Sequence, residues 1–292
     1  MTNDSLNIAR SNKNDEFYTR YIDVEEELTK YDLSGKIVYC NCDNLKSNFY
    51  IFLKLNFLNL GLKEIICTSL DGEKIVFDGT NETVTPLCSG DFLSKECVEI
   101  LKYSDVLITN PPFSRFRDYI NLVMEYNKKF LLLGNLNAIT YNEIFPSIKN
   151  NKVWLGYRSI NKDMYFQVPE ERQRWLIENK KEGSAYKIVN GIIMGRLASA
   201  CWFTNLDHKK RHQLFDSGVM FKDGVYDKYD NYDAINVDKI KDIPMDYTGI
   251  MGVPITFLGK YNPDQFELLG VLNAKFYVNG KEKYKRLAIR KK

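Results

Sequence analysis

Val106-Leu107-Ile108-Thr109-Asn110-Pro111-Pro112-Phe113 is the stretch on which the reading of this chain turns. Its apolar start, rich in β-branched residues, predicts a buried strand. The prolines end that strand abruptly, because they can neither donate to a ladder nor continue it. Asn110 is therefore expected at a strand's carboxyl end. Beyond the prolines, Phe116, Tyr119, Ile120, Val123 and Met124 recur at helical spacing, with Ser114 placed to cap the turn. Strand, rigid loop and helix in succession form one step of an open α/β sheet, whose carboxyl edge is where ligands bind.

The atoms of this loop suit a particular chemistry. The side-chain carbonyl of Asn110 and the main-chain carbonyl of Pro111 are two acceptors aimed at one point, and they fit an exocyclic amino group. In adenine such a nitrogen is a poor nucleophile because its lone pair is delocalised. Two positioned acceptors would draw it towards a tetrahedral form and free that pair. Pro112 stiffens the loop, and Phe113 offers a flat face for a base taken out of its stack. Taken alone, the same residues also fit a strand that simply stops, with Phe113 as ordinary core.

Outward from the loop, strands alternate with helices. Lys36 to Cys42 predicts a strand, and Leu45, Phe49, Phe52, Leu53 and Leu60 line the helix after it, closed by Gly61. Glu64 to Ser69 is a second strand. Lys74–Phe77 and Glu82–Thr85 predict a hairpin, Ser94–Tyr103 a helix, Phe130–Leu133 and Val153–Tyr157 further strands, and Tyr141–Ile148 a helix between these two. This alternation predicts a parallel, doubly wound sheet. Past about residue 160 the segments become short and β-like, and Asn279-Gly280 predicts a hairpin between Lys275–Val278 and Tyr284–Arg290. The expected division is 1–160 and 161–292.

With 292 residues and 44% hydrophobic content the chain can bury a full core. A net charge of +3 announces no global field, so any nucleic-acid surface must be a local patch. The six cysteines, Cys40, Cys42, Cys67, Cys88, Cys97 and Cys201, lack CxxC spacing and read as reduced thiols, which fits a cytoplasmic protein. No stretch is apolar enough for a secretory signal or a membrane span.

No GxGxxG or Walker lysine motif follows any strand, against a nicotinamide dehydrogenase or a P-loop enzyme. Asn41 and Asp43, and Asp91 with Phe92, stand just past strand ends instead. A carboxylate there can accept hydrogen bonds from a ribose, an adenine amino group or an α-ammonium; helix capping is the plain alternative. With S-adenosylmethionine as methyl donor, Phe17 or Tyr18 would face the sulfonium and Thr19 would bond the carboxylate end. No cysteine stands beside the prolines, as a cytosine-C5 mechanism would need.

Asp15–Thr19 (DEFYT), Tyr39–Asn44 (YCNCDN) with SNFY after it, Ser89–Phe92 (SGDF), Ile108–Ile120 (ITNPPFSRFRDYI) and Phe130–Tyr157 resemble the adenine-specific DNA methyltransferases of the EcoRI modification-methylase type. Trp202–Arg211 (WFTNLDHKKR), Lys228–Ile235 (KYDNYDAI), Met251–Gly270 and Tyr284–Arg290 are similar to that family too, so the likeness covers nearly the whole chain. It implies a Rossmann-like α/β methyltransferase sheet with a smaller C-terminal target-recognition region. It also implies use of S-adenosylmethionine without a metal, N6-adenine methylation and double-stranded DNA as partner. Asn110 to Phe113 carry over as the catalytic loop, and Phe17, Tyr18, Thr19, the Asp43 region and Asp91 as cofactor contacts. Two departures stand out. The glycine-rich turn of the wider superfamily is replaced by Cys40-Asn41-Cys42-Asp43, and Thr68-Ser69 stand where an acid would end the second strand.

Clustered cations mark the nucleic-acid side: Lys209, Lys210 and Arg211 between two histidines, and Lys285 and Arg286 near the C-terminus. Such runs also occur as plain solvated faces. His208 and His212 share a helical spacing but lack the further ligands of a zinc site. The remaining alternatives are an amino-group methyltransferase acting on RNA or on cytosine N4, and a non-catalytic DNA-binding module.

Overall fold

The structure, a computed structural model, describes residues 18–160 and 162–292. They fall into two compact units: the residues up to Leu136 with Arg158–Leu206, and Asn137–Tyr157 with Asp207–Lys292.

In chain order the elements begin with β1 (Tyr18–Thr19), α1 (Tyr21–Leu28), β2 (Ile37–Asn41), α2 (Asn48–Leu55), β3 (Glu64–Thr68), β4 (Glu73–Phe77) and β5 (Glu82–Pro86). They continue with α3 (Lys95–Tyr103), β6 (Val106–Thr109), α4 (Phe116–Glu125), β7 (Lys129–Asn135), α5 (Phe145–Lys149) and β8 (Trp154–Leu155). Next come β9 (Met164–Gln167), α6 (Glu170–Asn179), β10 (Tyr186–Val189), β11 (Ile192–Leu197) and β12 (Ala200–Thr204). The last are β13 (Ile235–Asn236), β14 (Met251–Pro254), β15 (Phe266–Leu272), β16 (Tyr277–Val278), β17 (Lys281–Glu282) and β18 (Arg286–Lys291).

The main sheet of the first unit runs β5-β4-β3-β2-β6-β7-β12. Its centre, β3-β2-β6-β7, is parallel. The flanks are not: β4 and β5 form the expected hairpin against β3, and β12 returns antiparallel to β7. A parallel, doubly wound sheet was expected beside that hairpin; the centre is parallel and the sheet as a whole is mixed. The reason is local, since the Asp78–Asn81 connection is a short turn, and a parallel partner would need a crossover of a dozen residues. From β2 the chain moves out to β3, then comes back to the other side of β2 as β6. That reversal makes the gap between the ends of β2 and β6 a topological switch point.

Apolar residues of α1, α2 and the sheet share one core, including Val24, Leu28, Phe49, Phe52, Ile65, Ile108, Leu131 and Trp202. The starts of α2 and α3 are set by serines rather than by the acids. Ser47 accepts from Phe49 N–H at 3.2 Å to cap α2, and Ser94 accepts from Cys97 N–H at 3.2 Å to cap α3. Ser114 does not cap α4; it lies in a 3-10 turn, Phe113–Arg115, and α4 begins after it without a side-chain cap. A second sheet, β1-β9-β11-β10, is antiparallel throughout.

In the second unit β13-β14-β18-β15 form a sheet. The predicted C-terminal hairpin exists but is shorter. Asn279 and Gly280, with φ of +52° and +70°, turn β16 into β17, and the Arg286–Lys291 segment pairs with β14 and β15 instead. Leu287, Ala288 and Ile289 are almost fully buried there, a burial that a two-stranded ribbon could not supply. The expected helix at 141–148 narrows to α5, preceded by a 3-10 turn at Leu136–Thr140.

Candidate active site

The two strand ends at the switch point are joined by side chains. Asn41, 2% exposed, closes β2, and its Oδ1 accepts from the Thr68 hydroxyl at 3.3 Å and the Cys42 thiol at 3.5 Å. Cys42 follows with φ of +71°, the left-handed region that glycine usually fills. The chain turns there and sets Asp43 beneath the sheet edge, its N–H donating to the Thr68 carbonyl at 3.1 Å. Asp43 is buried and accepts from the Ser47 hydroxyl at 2.5 Å. Its other oxygen lies 2.7 Å from the Thr109 hydroxyl, which also bonds the Asn41 carbonyl.

A hydroxyl has one proton. When Asp43 is charged, Thr109 must divide its one proton between the carboxylate and the Asn41 carbonyl; a proton on Asp43 would leave the Thr109 proton to Asn41. Burial favours that form: it pushes the Asp43 carboxyl up to about 6, against the Ser47 and Thr109 hydrogen bonds that pull it down. Asp43 is thus a carboxyl held close to its protonation point at the switch-point edge.

Ser47 links this carboxyl to the start of α2. The next residue, Asn48, donates from Nδ2 to the Thr19 carbonyl at 2.7 Å. Thr19 is 4% exposed, and its hydroxyl has no hydrogen-bond partner among the described residues. Tyr18 beside it is half-exposed. Phe17 lies outside the described residues.

Asp91 reaches the same edge by another route. A Cβ on Gly90 would sit 1.7 Å from the Ser69 carbonyl oxygen, so only glycine lets the backbone pass this close to the end of β3. Asp91 then accepts from Leu93 N–H at 2.9 Å and from Arg115 Nη1 at 2.7 Å. Burial pushes its carboxyl up, but the Arg115 guanidinium and the Leu93 N–H outweigh it and hold Asp91 below the usual carboxylate range. Helix capping falls to Ser47 and Ser94, so neither Asp43 nor Asp91 is used as a helix cap. Phe92 is 1% exposed, packed edge-on against Tyr119 at 4.9 Å, with Arg115 4.3 Å above its ring.

Arg115 ends the 3-10 turn that follows Asn110-Pro111-Pro112. Its N–H donates to the Pro112 carbonyl at 2.9 Å, closing the 3-10 turn that begins at Phe113. Pro111 is buried, while Asn110 and Phe113 are half-buried and Phe113 packs against the main core. Asn110, Asn41, Asp43 and Asp91 therefore share one sheet edge. The sequence reading missed Thr109, Ser47 and Arg115. Thr109 left a trace, as the only hydroxyl residue in the run Val106–Thr109.

The family described as adenine-specific methyltransferase EcoRI matches residues 5–86 and 74–292. The type II methyltransferase M.EcoRI of Escherichia coli is 42% identical, over 100% of this chain and 97% of its own. The chain belongs to this family. A type II methyltransferase of Mycoplasma genitalium is 39% identical over 98% of both chains, and M.MpnI of Mycoplasma pneumoniae 38% over 91% of this chain and 85% of its own. No solved structure matches.

The basic residues of this EcoRI-family chain divide by environment. Lys209 is exposed on a 3-10 turn, Lys209–His212. Lys210 donates to the Tyr157 carbonyl at 2.9 Å, and Arg211 lies 3.5 Å over the Trp154 ring while bonding Asn151 Oδ1. Lys285 donates to the Thr140 hydroxyl at 3.0 Å, and Arg286 pairs with Asp238 at 3.1 Å. The two histidines do not converge: His208, buried, pairs with the Leu155 carbonyl, and His212 with Asp207. Among the described residues no group of three His, Cys, Asp or Glu could hold a metal, and no helix is long and apolar enough to cross a membrane.

Proposed function

We propose that this chain transfers a methyl group from S-adenosylmethionine to N6 of an adenine extruded from double-stranded DNA, at a short defined sequence. One observation carries the reading beyond family membership: the Thr109 hydroxyl, one residue before the Asn-Pro-Pro-Phe loop, meets the Asp43 carboxyl and the Asn41 carbonyl at the switch point of a methyltransferase-like sheet. The loop for the acceptor and the carboxyl for the donor are thus tied together at the place where open α/β sheets bind ligands.

The residues present fit the donor. The buried Thr19 hydroxyl, without a partner among the described residues, suits a polar end of S-adenosylmethionine, half-exposed Tyr18 its sulfonium, and Asn41, Asp43 and Asp91 its amino and hydroxyl groups. Phe92 carries over its ring the Arg115 guanidinium that pairs with Asp91, and Phe17 is assigned to the cofactor side from the sequence alone. When bound, the cofactor supplies an electrophilic methyl group. Asn110 and Pro111 accept the hydrogens of the adenine amino group and localise its lone pair, Pro112 limits the loop's motion, and Phe113 stacks on the base. The new N–C bond forms as the S–C bond breaks, and the spare amino proton passes to solvent.

In this reading the sheet is Rossmann-like, residues 1–160 hold the chemistry, and 161–292 recognise the target through Lys209, Lys210, Arg211, Lys285 and Arg286. The test is transfer of labelled methyl to unmodified duplex DNA, with the modified nucleoside identified. Label in N6-methyladenine supports the reading; label confined to RNA or to N4-methylcytosine refutes it. Asn110→Ala should cut turnover by about 100-fold or more, the scale of one lost electrostatic contact, with cofactor affinity unchanged.

A further inference from the structure

The surface of the second unit carries a shallow, open pocket with an enclosed volume of only about 20 Å³ that the catalytic reading does not use. Ile148, Val153, Leu155 and Leu258 contribute its apolar wall and Trp154 and Tyr261 its aromatic surfaces; Lys210 and Arg211 are its cations, while burial holds the His208 imidazole below its usual range and so towards the neutral form. No carboxylate lines it. Its chemistry therefore suits an electron-rich, flat partner.

The three neighbouring cations are not equivalent. Lys209 is exposed, a point charge on a flexible stem. Lys210 directs its ammonium at the Tyr157 carbonyl and so holds the turn in place. Arg211 is constrained twice, by the Trp154 face at 3.5 Å and by Asn151 Oδ1 at one Nη. Its other Nη makes no hydrogen bond among the described residues. Burial also makes its charged form less favourable than usual. A phosphate contact needs charge but no fixed plane. A guanidinium locked flat, partly stripped of water and still offering N–H donors has the properties that reading a base edge requires.

We propose that Arg211 is a specificity-determining residue that reads the O6 and N7 acceptors of a guanine in the target sequence, with Trp154 and Asn151 as the residues that orient it. Lys209 contacts a phosphate, and Lys210 serves recognition indirectly, its bond to the Tyr157 carbonyl fixing the turn that presents Lys209 and Arg211. The inference deepens the DNA-methylating reading and rests on it. It separates three cations that charge alone treats as one patch.

The experiment methylates a randomised duplex library, sequences the methylated contexts, and measures DNA binding across a salt series for wild type, Arg211→Lys, Arg211→Ala and Lys209→Ala. Arg211→Lys keeps the charge and loses the fixed plane. It should relax the preference for guanine at one position by about 10-fold or more while the salt slope holds. Arg211→Ala should relax the same position. Lys209→Ala should weaken binding to all sequences alike and lower the salt slope by about 0.9, the value of one phosphate contact. An unchanged sequence profile in both Arg211 variants overturns the proposal, whether binding falls uniformly, as for a phosphate contact, or only the melting temperature falls, as for a structural role. Should wild type methylate no DNA, the parent reading fails first, and that result is distinct from any change of profile.

Discussion

Replacing Asp43 by asparagine should stabilise the protein while weakening its hold on the cofactor. The side chain is buried, and its carboxyl titrates at about 6 rather than at 3.8. Because the native state holds the proton more tightly than the unfolded chain, stability is greatest below the unfolded value and falls as pH rises through the folded one. A rise of about two units, at about 1.4 kcal/mol each, amounts to about 3 kcal/mol lost by neutral pH. Asparagine is a close copy of the protonated form. Its carbonyl can accept from Ser47, as Asp43 does now, and its amide can donate to Thr109, leaving the Thr109 proton for the Asn41 carbonyl.

The variant should therefore recover most of that loss, raising the melting temperature by about 5–10 °C near pH 7.5 for a unit of this size. Near pH 4 the two proteins should melt together. Thermal melts at both pH values, without cofactor, measure the difference directly, and calorimetric titration with S-adenosylmethionine measures the expected loss of affinity. An equal gap in melting temperature at both pH values would refute the linkage argument. Unchanged cofactor affinity would remove Asp43 from the binding site.

Thr109→Val removes the hydroxyl shared by Asn41 and Asp43; it should cost about 1–3 kcal/mol and move the pH dependence of stability upward, because Asp43 loses a bond that lowers its titration. Melts across pH read both effects. Arg115→Ala breaks a part-exposed ion pair with Asp91, worth less than about 1 kcal/mol, so the melting temperature should scarcely move. Turnover should nevertheless fall, since the turn carrying Phe113 loses its tie to Asp91 and Phe92; steady-state kinetics with unchanged kcat would contradict this. Gly90→Ala forces a Cβ against the Ser69 carbonyl and should cost about 1–3 kcal/mol while displacing Asp91, seen as a raised KM for the cofactor.

The parallel centre of the sheet was legible because each of its strands is an apolar run closed by turn residues, as in Glu64–Ser69 and Phe130–Asn135. Its antiparallel edge was not, since Ala200–Thr204 carries no sign of which strand it will join; pairing with β7 is decided by packing of Trp202 and Phe203 in the core. The same limit applied to the C-terminus. Asn279-Gly280 announces its turn through the positive φ both positions adopt, yet nothing local says that the strand beyond will leave the ribbon for β14 and β15. The positions of Asn110, Asn41 and Asp91 at strand ends could be read from punctuation. The ties among them depend on Thr109, Ser47 and Arg115, residues whose types are common in purely structural roles.

Two residues at this edge act against local stability, and they adjoin. Cys42 occupies the left-handed region at a cost of about 1 kcal/mol that a glycine would avoid. Asp43 is held near 6 by burial. Neither feature helps the sheet, since a glycine followed by an asparagine would build the same turn with less strain. A fold retains such residues where the surrounding structure is strong enough to hold them and where their geometry serves a ligand. The left-handed turn is what brings the carboxyl back under the sheet edge to meet Ser47 and Thr109, so the strained backbone and the perturbed carboxyl act as one device. No glycine stands at this turn, and Cys42 itself adopts the left-handed conformation that glycine would take most readily. Cys42→Gly should accordingly leave cofactor binding intact and raise stability, whereas a β-branched residue there, unable to hold φ near +71°, should displace Asp43 and lose both.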